Sequence, residues 1–187
     1  MGRAGFFLSL FAVLMIGGGC VLFSEPYIEP AEYDLAAPGP EVVPEPVAVP
    51  VEFGVFRNLS GSDRRFLVRI DGDRLQSDEY NRWLLIPEQL IVRHLYEALP
   101  GSADCGTPVR INAVIYRFEF DRNRQEAVFC ARFTLRRAAT EVQVDTAVRT
   151  PMADASPEAA VAAMSSCLAK AAAELRTAIA GNWGEEK

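Results

Sequence analysis

Apolar and polar positions alternate along most of the second half of the chain, and the period changes twice. Val109, Ile111, Ala113 and Ile115 alternate with Arg110, Asn112, Val114 and Tyr116, which is the two-residue period of a strand with one buried face. That strand runs on to Phe120, and Asp121-Arg122-Asn123-Arg124 is a polar turn into a partner whose Ala127, Phe129, Ala131, Phe133 and Leu135 share one face. Val142, Val144, Thr146 and Val148 mark a third strand over 141–149. The period then lengthens. Ser156 caps a helix with Pro157 and Glu158 behind it, and Val161, Met164, Leu168, Ala172, Leu175 and Ile179 form one face, with Gly181 as its expected end.

Upstream the pattern is shorter in wavelength. Val47, Val49, Val51, Phe53 and Val55 alternate, with Pro50 placing that strand at an edge or starting it late. Asn58 to Asp63 is a turn cluster. Phe66 to Ile70 is a second strand, and Asp71-Gly72-Asp73 turns the chain into a short third strand around Arg74 to Gln76. Tyr80-Asn81-Arg82-Trp83 leads to Pro87 at the first turn of a helix, with Leu90, Ile91, His94, Leu95, Ala98 and Leu99 at helical spacing and Pro100-Gly101 stopping it. The order strands, helix, meander, helix predicts an α+β domain: a two-layer α/β sandwich whose largely antiparallel sheet carries two main helices on one face.

The first fifty residues do not fit a domain. Arg3 precedes an apolar run from Phe6 to Ile16, and Gly17-Gly18-Gly19 lead into Cys20, the layout of an export signal with a cysteine after the small residues. Signal cleavage after residue 19 would leave Cys20 as the first residue, acylated on its thiol and amine. Several acyl chains at ~0.8 kcal/mol per buried CH2 hold a protein on a bilayer durably. The other reading is an uncleaved anchor, since Ala4 to Phe23 has about the ~20 residues a spanning helix needs, although three consecutive glycines make a poor helix. Both readings export the chain that follows. Residues 20–46 are then a proline-rich tether, 47–181 the domain and 182–187 a frayed tail, with Tyr33-Asp34-Leu35 as the piece of the tether that could instead belong to the fold.

Charge and composition narrow the function. The net charge is −6, and −7 once Arg3 leaves with the signal, so the chain offers no basic patch and no nucleic acid is expected as partner. His94 is the only histidine and lies on the apolar side of its helix, which leaves little for acid–base or nucleophilic catalysis. Cys105, Cys130 and Cys167 lack zinc spacing, no glycine-rich phosphate loop follows a strand, and neither metal nor cofactor is expected. Three cysteines in an oxidising compartment permit at most one intrachain disulfide. The sequence therefore predicts a binding or assembly module and not an enzyme, with Tyr80, Arg82 and Trp83 as the candidate partner-binding residues. Trp83 is either a core plug under the helix entrance or an exposed anchor.

The lipobox-like Cys20, Tyr33 with Leu35, Arg82-Trp83 before a helix, Arg117-Phe118 in a long strand and the terminal helix Ser156 to Ala180 together resemble the ABC-type transport auxiliary lipoproteins, which include the paraquat-inducible protein C type. Where that family commonly continues Ala-Glu-Pro-Leu after the tryptophan, this chain has Leu84-Leu85-Ile86-Pro87. The resemblance implies a membrane lipoprotein facing the periplasm and serving a lipid transport system that contains mammalian-cell-entry domains, with ATP hydrolysed by a separate subunit. It implies contact with a mammalian-cell-entry-domain protein and leaves self-association open. Val21 after Cys20 favours the outer membrane over the inner one. A structural envelope lipoprotein that bridges the membrane and another envelope component without moving lipid is the alternative.

Overall fold

The structure is a computed structural model, and it describes residues 28–35, 45–102 and 106–184. Seven strands and two helices follow in the order β1 (Ala31–Tyr33), β2 (Val51–Asn58), β3 (Arg65–Asp71), β4 (Arg74–Trp83), α1 (Pro87–Ala98), β5 (Val109–Asp121), β6 (Glu126–Arg137), β7 (Thr140–Pro151) and α2 (Pro157–Trp183). The strands form one open sheet in the order β1-β4-β3-β5-β6-β7, with β2 also on β5. It is mostly antiparallel, as the alternation predicts, because the long ladders β5-β6 and β6-β7 and the β3-β4 hairpin carry most of the register. The shorter pairings β1-β4, β2-β5 and β3-β5 are parallel, which no hairpin logic foretells.

Strand β5 is the spine. β2 pairs with its first half, from Val51 opposite Val109 to Asn58 opposite Ile115, and β3 takes over the same edge at Phe120 and Asp121. A bulge at Tyr116 makes this possible. Before it the odd residues Val109, Ile111, Ala113 and Ile115 face the core, and after it the even residues Phe118 and Phe120 do, since one extra residue exchanges the two faces of a strand.

β2 repeats the device. The alternation predicted Val55 inside, but the register slips between Phe53 and Phe56, both of which pack on the core, and Val55 is 61% exposed. Asn112 Oδ1 accepts the Val55 N–H at 2.8 Å and lies where a side chain on Gly54 would go, 2.3 Å from its ideal Cβ position. Any other residue at 54 would push Asn112 off the bulge.

Both helices bury one face in a single core. α2 lies across β6 and β7, α1 over β2, and the helices touch each other. The Ser156 hydroxyl accepts the Ala159 N–H at 3.2 Å and Pro157 occupies the first turn, as the capping pattern predicts. The end differs from expectation. Gly181 does not stop α2, because nothing there forces a turn, and the helix continues to Trp183, whose indole is buried. Asn182 and Trp183 therefore belong to the domain and not to a frayed tail.

The tether boundary moves as well. Residues 31–33 are a strand on the β4 edge, Tyr33 stacks near Phe66 with centroids 5.3 Å apart, and Leu35 is buried in the core. Pairing with β4 outweighs the proline-rich context because β4 presents an unpaired edge there. Glu45 and Val47 are held too: Arg176 donates to the carbonyls of Glu45 and Ala98, and Val47 N–H to Pro100 O at 2.9 Å. Arg176 thus places a cation at the negative end of α1.

Candidate partner-docking surface

The three residues singled out by sequence lie on the last turnings of β4, and the structure separates them. The short third strand expected around residues 74–76 is longer, running to Trp83, so these residues end a strand as well as preceding a helix. Trp83 is fully buried. Its ring sits 4.4 Å from Phe66, 5.2 Å from Phe118 and 5.9 Å from Phe120, in tilted arrangements that fill the space under the entrance to α1. It is a core plug, and the reading of Trp83 as an exposed anchor is corrected by its position on the helix-covered face of the sheet.

Arg82 faces the other way. Its guanidinium bonds Glu32 Oε1 at 2.9 Å, while Arg64 bonds the same oxygen at 2.8 Å and also donates to the Trp83 carbonyl at 3.1 Å. Glu32 on β1 therefore carries two guanidiniums, and Arg82 Nε is buried with no partner. At roughly two-fifths exposure these pairs contribute little to stability one by one, but together they pin β1 along β4. Arg93 of α1 bonds Asp34, and the Tyr33 hydroxyl donates to Glu158 at 3.3 Å, so the same short strand is tied to both helices. The Tyr33 hydroxyl has its pKa pushed up, by loss of solvent and by the nearby Glu158 and Asp78 carboxylates.

Tyr80 is 51% exposed. It stands where β4 bulges against β3, held by Asp78, whose Oδ1 accepts the N–H of Tyr80 at 2.8 Å and of Asn81 at 3.0 Å. Leu84 and Ile86, between Trp83 and α1, are also exposed, at 40% and 39%. Sequence reasoning passed over them, although four consecutive apolar residues, 83–86, exceed what one buried face can take. Tyr80, Leu84 and Ile86 are the apolar groups available to a partner around Arg82.

On the open face of the sheet the chemistry is latching. Glu119 is 2% exposed and accepts from Arg69 at 2.8 and 3.1 Å and from Arg117 at 2.9 Å. Burial alone would raise its pKa, but the two guanidiniums outweigh it and hold the carboxyl below the usual range. Arg69 thereby fastens β3 to β5 where they share only two paired residues. Arg69, Arg117, Arg124 and Arg149 line a cavity of about 510 Å3 together with Asp73 and Asp121, so that even with Glu119 behind them positive charge is in excess there. Arg117 and Glu119 share a face two residues apart, a spacing readable in the sequence.

Among the described residues no three or more His, Cys, Asp or Glu side chains come together in a way that could hold a metal ion. Cys130 and Cys167 are free thiols with pKa pushed up by burial, and Cys20 and Cys105 lie outside the described residues. No helix among the described residues is long and apolar enough to cross a membrane.

The fold is a sheet with one helix-covered face, charged latches on the other and apolar residues exposed beyond the end of β4. The chain belongs to the ABC-type transport auxiliary lipoprotein component family, whose model matches residues 62–176, a transport-auxiliary family and not an enzyme family. Two crystal structures share the fold. One is of an uncharacterized protein with TM-score 0.66 and 10% identity, over 81% of this chain and 99% of that one. The other is a Xanthomonas campestris protein of the DUF330 family, TM-score 0.60 and 16% identity, over 84% of this chain and 100% of that one. No curated protein matches the sequence.

Proposed function

We propose that the chain is the periplasm-facing, membrane-anchored auxiliary component of an ABC-type lipid transport system, acting through contact with a mammalian-cell-entry-domain protein. The family match over residues 62–176 carries this reading. Cys20, acylated after removal of residues 1–19, anchors it, to the outer membrane in view of Val21, and ATP hydrolysis belongs to another subunit. The docking surface is the region of Tyr80 and Arg82, extended to Leu84 and Ile86. An aromatic ring and an arginine among exposed aliphatic groups have the composition that dominates protein interfaces.

Co-purification from detergent-solubilised envelopes tests it. The wild-type chain is expected to bring down the mammalian-cell-entry-domain protein, and Tyr80→Ala to lose that protein by a hot-spot margin of about 2 kcal/mol while melting normally. Tyr80 is exposed, so a lost partner cannot be charged to a lost fold. Capture of no such protein by the wild type would leave a structural envelope lipoprotein as the better reading.

A further inference from the structure

The open face of the sheet gathers more cations than its own carboxylates neutralise. Arg69 on β3, Arg117 on β5, Arg149 on β7 and Arg124 in the β5-β6 turn all line the cavity of about 510 Å3. Strand pairing explains why they converge. Arg69 stands opposite Asp121, Glu119 opposite Val128 and Val128 opposite Arg149, so neighbouring strands bring these residues side by side. Val128 is buried although it points away from the core side chains of Ala127 and Phe129, so the charged side chains around it stand as a rim over an apolar floor.

The charged groups differ in what they have left to offer. Arg69 uses all its side-chain nitrogens, on Glu119 and on the Gly72 carbonyl. Arg117 turns Nε and Nη2 to Glu119 and keeps Nη1. Arg149 approaches Glu126 only to 3.6 Å, too far for a hydrogen bond, and is 45% exposed. The guanidinium of Arg124 is exposed and has no partner among the described residues. The carboxylates are more fully engaged. Glu119 is taken up by Arg69 and Arg117, and Asp121 Oδ1 accepts the N–H groups of Asn123 and Arg124 at 3.1 and 3.0 Å. Asp73, exposed in the β3-β4 turn, makes no hydrogen bond among the described residues and acts on Arg69 through its charge.

We infer that this cavity binds a phosphate group, its oxygens held by Arg117 Nη1, Arg124 and Arg149. Four guanidiniums against the carboxylates of Asp73, Asp121 and Glu119 leave the space positive, and the planar fork of arginine matches the oxygens of a phosphate. Donors from two strands and a turn around one concave space suit a single compact anion, whereas an acidic peptide spreads its carboxylates along a chain. The volume exceeds that of one phosphate ion, so the group can arrive on an ester, such as a glycerophosphoryl headgroup, as well as free. This goes beyond the docking role proposed above and does not depend on it.

Isothermal titration calorimetry of the full chain in a neutral detergent at fixed ionic strength tests it, with inorganic phosphate, glycerophosphoglycerol and a tetraglutamate peptide as probes. The expected result is saturable binding of one phosphate per chain, competed by the phosphodiester, and no binding of the peptide. Tighter binding of glycerophosphoglycerol than of phosphate supports the site with a lipid headgroup as its source, and binding of phosphate at least as tight supports it with the free ion. Arg124→Gln should weaken phosphate about tenfold. Asp73→Asn removes the opposing charge and should strengthen phosphate binding. Both residues are exposed, so neither substitution should move the melting temperature. The proposal is overturned if the wild type binds neither phosphate nor the diester, if the peptide binds as tightly, or if either substitution leaves the affinity unchanged. Because partner capture is read separately, absent phosphate binding with intact co-purification refutes this site alone.

Discussion

Trp83 shows how far a residue's chemistry can be read without its surroundings. Its size and its place before Pro87 marked it as consequential, but core and interface both favour tryptophan, and only the face of β4 on which it lands decides. With no exposure and three aromatic neighbours, Trp83→Ala should cost ~3 to 5 kcal/mol, seen as a lower urea midpoint and lower abundance in the envelope. An unchanged midpoint would contradict the packing described. His94 has the reverse history: its apolar helix face was legible, and the structure adds that it is 4% exposed with Nε2 unpartnered. Burial lowers its pKa, Glu97 opposes this and Arg93 adds to it. Its folded pKa lies below the unfolded value of about 6.5, so the unfolded chain takes up the proton first and stability, full above that pH, is lost as pH falls through it. Urea midpoints should drop from pH 7.5 to 5.5, and His94→Leu should remove that part of the drop; an identical drop in the variant would acquit His94.

At the scale of elements, the sequence announced what local pattern controls and withheld what distant pairing controls. α1, β5, β6, β7 and the start of α2 follow from period, cap and turn, and the β3-β4 hairpin from Asp71-Gly72-Asp73, where Gly72 takes φ +46°. The bulges at Tyr116 and between Phe53 and Phe56 were not legible, because a bulge is fixed by what lies on the neighbouring strand, here Asn112 beneath Gly54 and Val55. β1 was hidden for the same reason. Three residues among prolines have no strand signal of their own, and they are ordered by the β4 edge and by Arg64, Arg82 and Arg93 reaching Glu32 and Asp34. The candidate site inherits this division: Tyr80, Arg82 and Trp83 were nameable, and strand alternation puts Arg82 and Trp83 on opposite faces, but which of them meets the core depends on the register of β4 beyond its bulge, and Glu32, the ion-pair partner of Arg82, lies about fifty residues upstream.

For the whole molecule, β1 changes what the tether can do. Residues 31–33 lie beside β4, on the same edge as Tyr80 and Arg82, so the proposed membrane linkage and the proposed docking surface would share one side of the sheet. A partner bound there would stand next to the point where the chain leaves for the bilayer, which suits a component that must meet a conduit at a membrane. This geometry has a function only if the chain is held at its start, and that rests on Cys20. Acylation of Cys20 is expected to leave the mature protein beginning at that residue, with its mass raised by a diacylglyceryl group and a further acyl chain and its recovery confined to the detergent phase. Cys20→Ala should abolish the mass increase and free the protein from the membrane when residues 1–19 are cleaved, or leave it held by its uncleaved apolar run when they are not. A wild-type protein that still begins at Met1, or that carries an unmodified Cys20, would replace the lipid anchor with a spanning one and turn Val21 into a residue with no bearing on which membrane the domain faces.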